Sequence, residues 1–308
     1  MIRELRTTDL LRMLLGAGYL AQDWAQPWDK VGLNIKKSRR FDAATWKMLI
    51  DKNAVKYSLL GGSKGAISLA SVRERSGPKA WEIHRLSLSS DVEGDGVELL
   101  EQLCPLVAAG GGERMFIRLS SSSPIVDIAR RAGFVPCLQE TLYRKDPPSY
   151  WRSGHNHMLE STQYCDPYDI FRLYSECVPS NIKRAYGLTF DEWRDSAEPW
   201  GADQINRVYL GDGSVIGWAR VIRRKNAANQ MELMVRPGEE SAIWDQMITW
   251  GLQQGSIDLP SFVMVPDYQY PLIWTLEKRG FIPTGDYIVM VKSIAIRVDG
   301  PTYALAGV

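Results

Sequence analysis

Residues 124–145 read Pro-Ile-Val-Asp-Ile-Ala-Arg-Arg-Ala-Gly-Phe-Val-Pro-Cys-Leu-Gln-Glu-Thr-Leu-Tyr-Arg-Lys. Residues 271–292 read Pro-Leu-Ile-Trp-Thr-Leu-Glu-Lys-Arg-Gly-Phe-Ile-Pro-Thr-Gly-Asp-Tyr-Ile-Val-Met-Val-Lys, and the second copy begins 147 residues after the first (124 to 271) with no gap. Pro124, Gly133, Phe134, Pro136 and Lys145 recur as Pro271, Gly280, Phe281, Pro283 and Lys292. Each copy opens with Pro, which suits a helix entrance because its missing N–H has no partner there. Arg130, Arg131, Lys278 and Arg279 fall in the last turn, where positive charge complements the helix dipole. Gly133 and Gly280 can take the left-handed cap conformation without a Cβ penalty. A strand follows in each copy. Two copies about one domain length apart point to duplication.

Working outward, the 308 residues suit two domains, and 45% apolar content provides for ordinary cores. A net charge of +1 gives no electrostatic footprint for nucleic acid. The basic runs at 36–40 and 223–225 read as solvated charge. Cys104, Cys137, Cys165 and Cys177 form no C-x-x-C pair, which favours reduced thiols in a cytoplasmic protein. The apolar run at 10–15 is too short for a signal peptide or a membrane span.

The first half reads as a strand at 2–6, helices from Asp9 and Asp42, and strands at 55–60, 66–73 and 80–88. A glycine-bearing loop at 90–96 then leads into a helix ended by Gly110-Gly111-Gly112, a strand at 115–119 and the repeated helix and strand. Asp146-Pro-Pro-Ser and Arg152-Ser-Gly-His mark a linker. The second half repeats the order. It has a strand at 158–163, a helix opened by Asp166-Pro167, a Thr189…Glu192 capping box, strands at 205–210, 214–223 and 230–235, a helix at 239–253 and a strand at 262–265. The expected organisation is residues 1–147, linker 148–156, residues 157–298, and a weakly ordered tail 299–308.

This element order, with Gly-Phe-Val/Ile-Pro before each last strand, resembles the GNAT superfamily of N-acetyltransferases, as two tandem α/β units with mixed sheets spanning nearly the whole chain. The resemblance implies an acyl-coenzyme A co-substrate, most simply acetyl-CoA, and direct transfer to the amine of a small molecule or peptide. It implies a loop of pattern R/Q-x-x-G-x-G/A after the fourth strand, holding the pyrophosphate on backbone N–H groups. The first half offers Asp91-Val-Glu-Gly94-Asp-Gly96-Val97, with Gly94 and Gly96 in place and Asp91 where Arg or Gln is expected. The carboxylates of Asp91, Glu93 and Asp95 would oppose a pyrophosphate. The second half offers Arg236-Pro-Gly-Glu-Glu-Ser-Ala-Ile-Trp-Asp and has lost the glycine pair. The first half is therefore the expected cofactor site, with backbone near Leu86 or Leu88 as the oxyanion donor.

The family's proton-donating Tyr on the repeated helix is replaced by Ala129 and Leu276, and the upstream Glu of the fourth strand by Ala80 and Asn229. Glu82 and His84 alternate onto one face of that strand and are the replacement candidates for the base. Tyr143 is a candidate displaced acid. Structural roles for all three remain open. Trp244 and Trp274 are expected in cores, and Trp24, Trp28, Trp193 and Trp200 lie in regions that roof the family's acceptor pocket, which would favour an apolar or aromatic amine. His155-Asn-His157 lacks a third ligand nearby, so no metal is expected. Neither nucleic acid nor membrane is an expected partner; a homodimer is compatible with the sequence. The alternative to an enzyme is a catalytically inactive GNAT-like binding module, favoured by the lost Tyr and the acidic loop. Transfer from a charged tRNA is disfavoured by the near-neutral charge.

Overall fold

The computed structural model of the chain describes residues 2–5, 22–31, 57–61, 68–88, 92–147, 159–161, 166–199, 203–224 and 228–294. The expected helices from Asp9 and Asp42, Asp91, the linker 148–156, His155, His157, Cys165, Trp200 and the tail 299–308 lie outside the described residues.

The first half supplies β1 (Arg3–Glu4), β2 (Tyr57–Gly61), β3 (Ser68–Glu74), β4 (Ala80–Ser87), helix α1 (Val92–Ala109), β5 (Arg114–Ser120), α2 (Ile125–Arg131) and β6 (Val135–Lys145). The second supplies β7 (Leu159–Ser161), helices α3 (Pro167–Cys177), α4 (Ser180–Tyr186) and α5 (Phe190–Ser196), then β8 (Gln204–Gly211), β9 (Ser214–Arg224), β10 (Ala228–Val235), α6 (Ser241–Gln254), β11 (Ser261–Pro266), α7 (Tyr270–Lys278) and β12 (Ile282–Ser293).

The repeated stretch forms the same joint twice. Gly133 has φ +84° and Gly280 φ +76°. Phe134 N–H donates to Ala129 O across one helix end and Phe281 N–H to Leu276 O across the other, both at residues offset by 147. This is the Schellman closure that a left-handed residue permits. Ala129 and Leu276, which stand at the Tyr position, are fully buried in the two cores.

Among the described residues, twelve strands join one sheet in the order β1-β2-β3-β4-β5-β12-β6-β11-β10-β9-β8-β7. The last strands are exchanged. β12, from the second half, pairs antiparallel with β5 from Tyr287↔Ser120 to Ser293↔Arg114. β6, from the first half, pairs antiparallel with β11 from Glu140↔Pro266 to Lys145↔Ser261. β6 and β12 pair with each other at the centre. The cores follow the exchange. Ile288 and Met290 of β12 pack with Leu99, Leu103, Ile117 and Phe134 of the first half. Tyr143 of β6 packs with Trp244, Met247, Leu272 and Phe281 of the second. Neither half can therefore complete its core alone.

Parallel pairs open in both halves. β4 and β5 are paired only at Ala80–Glu82 with Arg114–Phe116. β10 and β11 are paired only at Asn229–Met231 with Ser261–Val263. Beyond these points the strands diverge, and helices α3 to α5 lie over the second opening. Asp166 caps α3 by accepting from Tyr168 N–H at 2.9 Å. Thr189 and Glu192 form the expected capping box of α5. The turn Gly211-Asp212-Gly213 takes positive φ at Asp212 (49°) and Gly213 (73°), as a tight hairpin requires.

Two local expectations differ. Helix α1 begins at Val92, so Gly94 and Gly96 lie within its first turns rather than in a loop before it. Trp274 is 53% exposed, with Lys278 Nζ 3.3 Å from its ring centre, whereas Trp244 is in the core. Trp274 caps a surface face of α7 because Leu272, Thr275 and Leu276 already fill the buried face.

Candidate active site

The first opening is filled by the chain itself. Trp24 N–H donates to Leu86 O at 2.8 Å and Gln26 N–H donates to Arg118 O at 2.9 Å. Leu86 N–H donates to Asp23 Oδ1 at 3.0 Å. Residues 23–26 thus bond to both diverging strands, as an added strand would. Lys30 fixes the segment by donating from Nζ to Asp23 Oδ2 at 2.6 Å. Both backbone groups of Leu86 are engaged. Leu88 is a core side chain. A Cβ on Gly96 would come within 2.9 Å of Ile128 and 3.0 Å of Leu88, so this glycine allows α1 to pack closely. Val97 packs at the edge of the same core.

Glu82 and His84 lie in a buried ion-pair cluster. Arg73 Nε donates to Glu82 Oε1 at 2.6 Å, and Arg75 Nε lies 3.5 Å from Glu82 Oε2. His84 Nε2 is 3.6 Å from Asp29 Oδ2, which also accepts from Arg73 Nη1 at 2.8 Å. Each of the two is 2% exposed. Burial, with Lys30 adding to it against the pull of Asp29, brings the His84 imidazole down to about 4. Strict alternation is broken between them by a bulge, where Ser71↔Arg85 is followed by Val72↔Ile83. Neither side chain lines the cavity of the second half. Tyr143 OH donates to Glu277 Oε1 at 3.3 Å and likewise stays off the cavity wall.

The second opening contains a cavity of about 180 Å³ between α3–α5 and the divergent ends of β10 and β11. Trp28 and Trp193, two of the tryptophans expected near an acceptor pocket, line it with Trp218 and Tyr268. Trp24 instead packs against the first core. The segment that fills the first opening continues to this wall. Trp28 N–H donates to Glu198 Oε2 at 3.2 Å, and Gln230 Nε2 donates to Trp28 O and Val31 O, both at 2.9 Å.

Glu232 stands on β10 one residue beyond Met231, the last residue paired to β11. Its Oε2 is enclosed without a hydrogen-bond partner, and Arg220 Nη1 lies 3.6 Å away. Asn229 N–H donates to Pro260 O on the β11 side. Strand alternation puts the N–H groups of Met231, Leu233 and Val235 on that same edge. Cys177 Sγ donating to Val235 O at 3.3 Å agrees with this. Leu233 N–H therefore faces the opening beside Glu232.

Solved structures share this architecture. A GCN5-related N-acetyltransferase from Sphaerobacter thermophilus superposes with a TM-score of 0.55 at 13% identity, covering 97% of each chain. A tandem GNAT protein from the clavulanic acid biosynthesis pathway gives 0.50 at 13% identity, covering 97% of this chain and 99% of that one. The chain carries two GNAT folds in tandem. No protein-family model and no curated protein matches the sequence.

The cavity wall, drawn from both halves of the chain, is electrostatically uneven. Arg118 Nε donates to Glu140 Oε2 at 2.7 Å, and its Nη1 donates to Glu198 Oε2 at 3.1 Å. Burial pushes Glu198 up, but Arg118 and Arg75 outweigh it and hold the carboxyl below its usual range. Burial raises Glu232 despite Arg220, and the nearby Glu198 and Glu140 carboxylates add to the rise. Sequence reasoning missed Glu232, Glu198, Glu140 and Arg118. Glu232 sits on the fourth-strand equivalent of its unit, but three residues beyond the Asn229 position where a Glu was sought. Among the described residues, no group of three or more His, Cys, Asp or Glu is arranged to hold a metal, and no helix is long and apolar enough to cross a membrane.

Proposed function

We propose that the protein is an acyl-coenzyme A dependent N-acyltransferase whose working site is the opening of the second GNAT unit. The observation that carries this is the position of Glu232, at the point where β10 and β11 part, on the wall of an aromatic cavity and beside an inward-facing Leu233 N–H. The residues of the first opening do not fit an acyl-CoA arm, because the backbone of Leu86 and Arg118 is already bonded to residues 23–26. Leu86, Leu88, Gly94, Gly96 and Val97 then serve the first unit as structure. The second opening fits better. Its β10 edge meets no inserted backbone segment among the described residues, and the chain runs from β10 through Arg236 into α6.

Acyl-CoA would supply an acyl thioester, whose acyl group passes to the amine nitrogen as the C–S bond breaks and coenzyme A departs as the thiol, taking one of the two protons the ammonium loses. Glu232 takes the other. A carboxyl raised above its usual range is a better match to a proton donor near neutral pH than an ordinary one. Leu233 N–H offers a donor where negative charge develops on the acyl oxygen. The cavity's apolar wall excludes water and strengthens both interactions.

The test is calorimetric titration of the intact chain with acetyl-CoA. One molecule is expected to bind per chain. Binding should survive Gly94→Glu with Gly96→Ala in the first unit and weaken on Leu233→Pro, which removes the inward N–H. Loss of binding in the first variant alone, with folding intact by circular dichroism, would move the site to the first unit. No binding by the wild type would favour the inactive-module reading.

A further inference from the structure

We infer that the acceptor is a small monocationic amine with an aromatic or apolar body, seated in the second-unit cavity with its ammonium at Glu232. The inference rests on the acyl-transfer reading for its chemistry, while the cavity that recognises the ligand stands on its own geometry.

Three carboxylates, Glu140, Glu198 and Glu232, share the wall with two guanidiniums, Arg118 and Arg220. Arg118 is bonded to both Glu140 and Glu198. Arg220 donates from Nε to Asn206 Oδ1 at 3.1 Å, and its guanidinium lies 4.7 Å from the Trp218 ring centre. It stands too far from Glu232, at 3.6 Å, to serve as a hydrogen-bond donor. Arg220 and Glu232 thus form an ion pair without a hydrogen bond, and the enclosed Glu232 Oε2 lacks a donor. A buried acceptor without a donor is costly, and a ligand N–H would relieve that cost. A single ammonium supplies the missing hydrogen bond and balances a wall on which three carboxylates face two guanidiniums.

The rest of the wall decides the body. Trp28, Trp193, Trp218 and Tyr268 present flat apolar surface, and ring faces also favour a nearby cation. A second positive charge would have to leave water against these walls with no carboxylate left to pair it. An anion would add to the surplus negative charge. A neutral amide could donate its N–H to Glu232 but would bring no positive charge to the wall's surplus of carboxylates.

The test measures binding of 2-phenylethylamine by calorimetry at pH 7.5, with coenzyme A absent and present. The comparison ligands are N-acetyl-2-phenylethylamine, 3-phenylpropanoate and spermidine. The expected result is that 2-phenylethylamine binds about tenfold or more tightly than each of the other three, and that Glu232→Gln removes this preference. Trp218→Leu should weaken 2-phenylethylamine while leaving Glu232 and the charge preference in place, which covers the case in which the Glu232 variant fails to fold. Equal binding of the N-acetyl compound, tighter binding of spermidine, or no binding of 2-phenylethylamine under either condition overturns the inference. Binding without acetyl transfer in the presence of acetyl-CoA would sink the acyl-transfer reading and keep the ligand class. Acetylation of spermidine but not 2-phenylethylamine would do the reverse.

Discussion

Lys145 and Lys292 each cap a helix that belongs to the other half of the chain. Lys292 Nζ donates to Ala132 O at 2.6 Å, at the end of α2, and Lys145 Nζ donates to Arg279 O, at the end of α7. The two acceptors are themselves 147 residues apart in the repeat. The exchange of β6 and β12 brings each lysine across, and each ammonium meets the negative end of a helix dipole. Lys292→Met and Lys145→Met are each expected to lower stability by about 1 kcal/mol, read by urea titration. Gly133→Ala should cost about 1 kcal/mol through its positive φ, because the added Cβ meets only the lysine at 3.5 Å, an ordinary contact. Because each core needs a strand from the other half, residues 1–147 and 157–308 expressed apart should be poorly soluble and should recover on co-expression. Two independently folded, non-associating halves would contradict the exchange.

Glu232 gives a kinetic prediction. Its carboxyl is raised above the ordinary glutamate value of 4.5. Activity should therefore rise with pH as the carboxyl loses its proton, with the midpoint of the acid limb above 4.5. Glu232→Gln is expected to lower kcat by about 10²- to 10⁴-fold and to abolish that limb. Glu232→Asp should retain the limb at reduced rate. A Glu232→Gln enzyme with an unchanged pH profile would assign the limb to another group.

The segment filling the first opening can be tested separately. Asp23 accepts from Leu86 N–H and pairs with Lys30, so Asp23→Ala leaves a backbone N–H without its acceptor and an ammonium without its carboxylate. A stability loss of about 2 kcal/mol is expected in urea. Acetyl-CoA stoichiometry should stay at one per chain, since Leu86 and Arg118 retain their bonds to Trp24 and Gln26. A second equivalent bound by this variant would show that the first opening is a latent site.

The repeat at 124 and 271 made the fold legible. Helix, left-handed glycine and strand are local devices, and their chemistry is written in adjacent residues. The exchange of β6 and β12 was not legible, because a strand's apolar pattern carries no record of which half it will pair with. The site was legible only in part. Trp28 and Trp193, expected near an acceptor pocket from their position in the element order, line the cavity. The filling of the first opening was not legible, since Asp23-Trp-Ala-Gln26 has no strand-like apolar pattern and the deciding bonds run to Leu86 and Arg118, 62 and 92 residues away from Trp24 and Gln26. Glu82 and His84 drew attention as titratable groups on the fourth strand. Their neutralising partners Arg73, Arg75 and Asp29 become visible only when β3 and the segment at 29 are placed beside them.

His84 makes acid sensitivity measurable. An unfolded histidine titrates near 6.5, while His84 in the fold is held down to about 4 by burial and by Lys30. Between pH 6.5 and 4 the unfolded chain takes up a proton that the folded chain refuses, so stability falls as the pH falls through this window. The full loss would be on the order of 3 kcal/mol. Buried carboxyls act with the opposite sign. Glu82, Glu140 and Glu232 are raised by burial, so the fold keeps their protons above 4.5 while the unfolded chain releases them. Asp29 is held low by His84 and Arg73 against its own burial, and its contribution is lost only below about 3.8. The histidine term is isolated by difference. Urea titrations of the wild type and His84→Asn at pH 7.5, 6.0 and 5.0 should give a stability gap that shifts in the variant's favour as the pH drops. A gap constant across those three values would mean that His84 titrates alike in the folded and unfolded chain, and a gap moving in the wild type's favour as the pH drops would mean that His84 pairs with Asp29 as a cation.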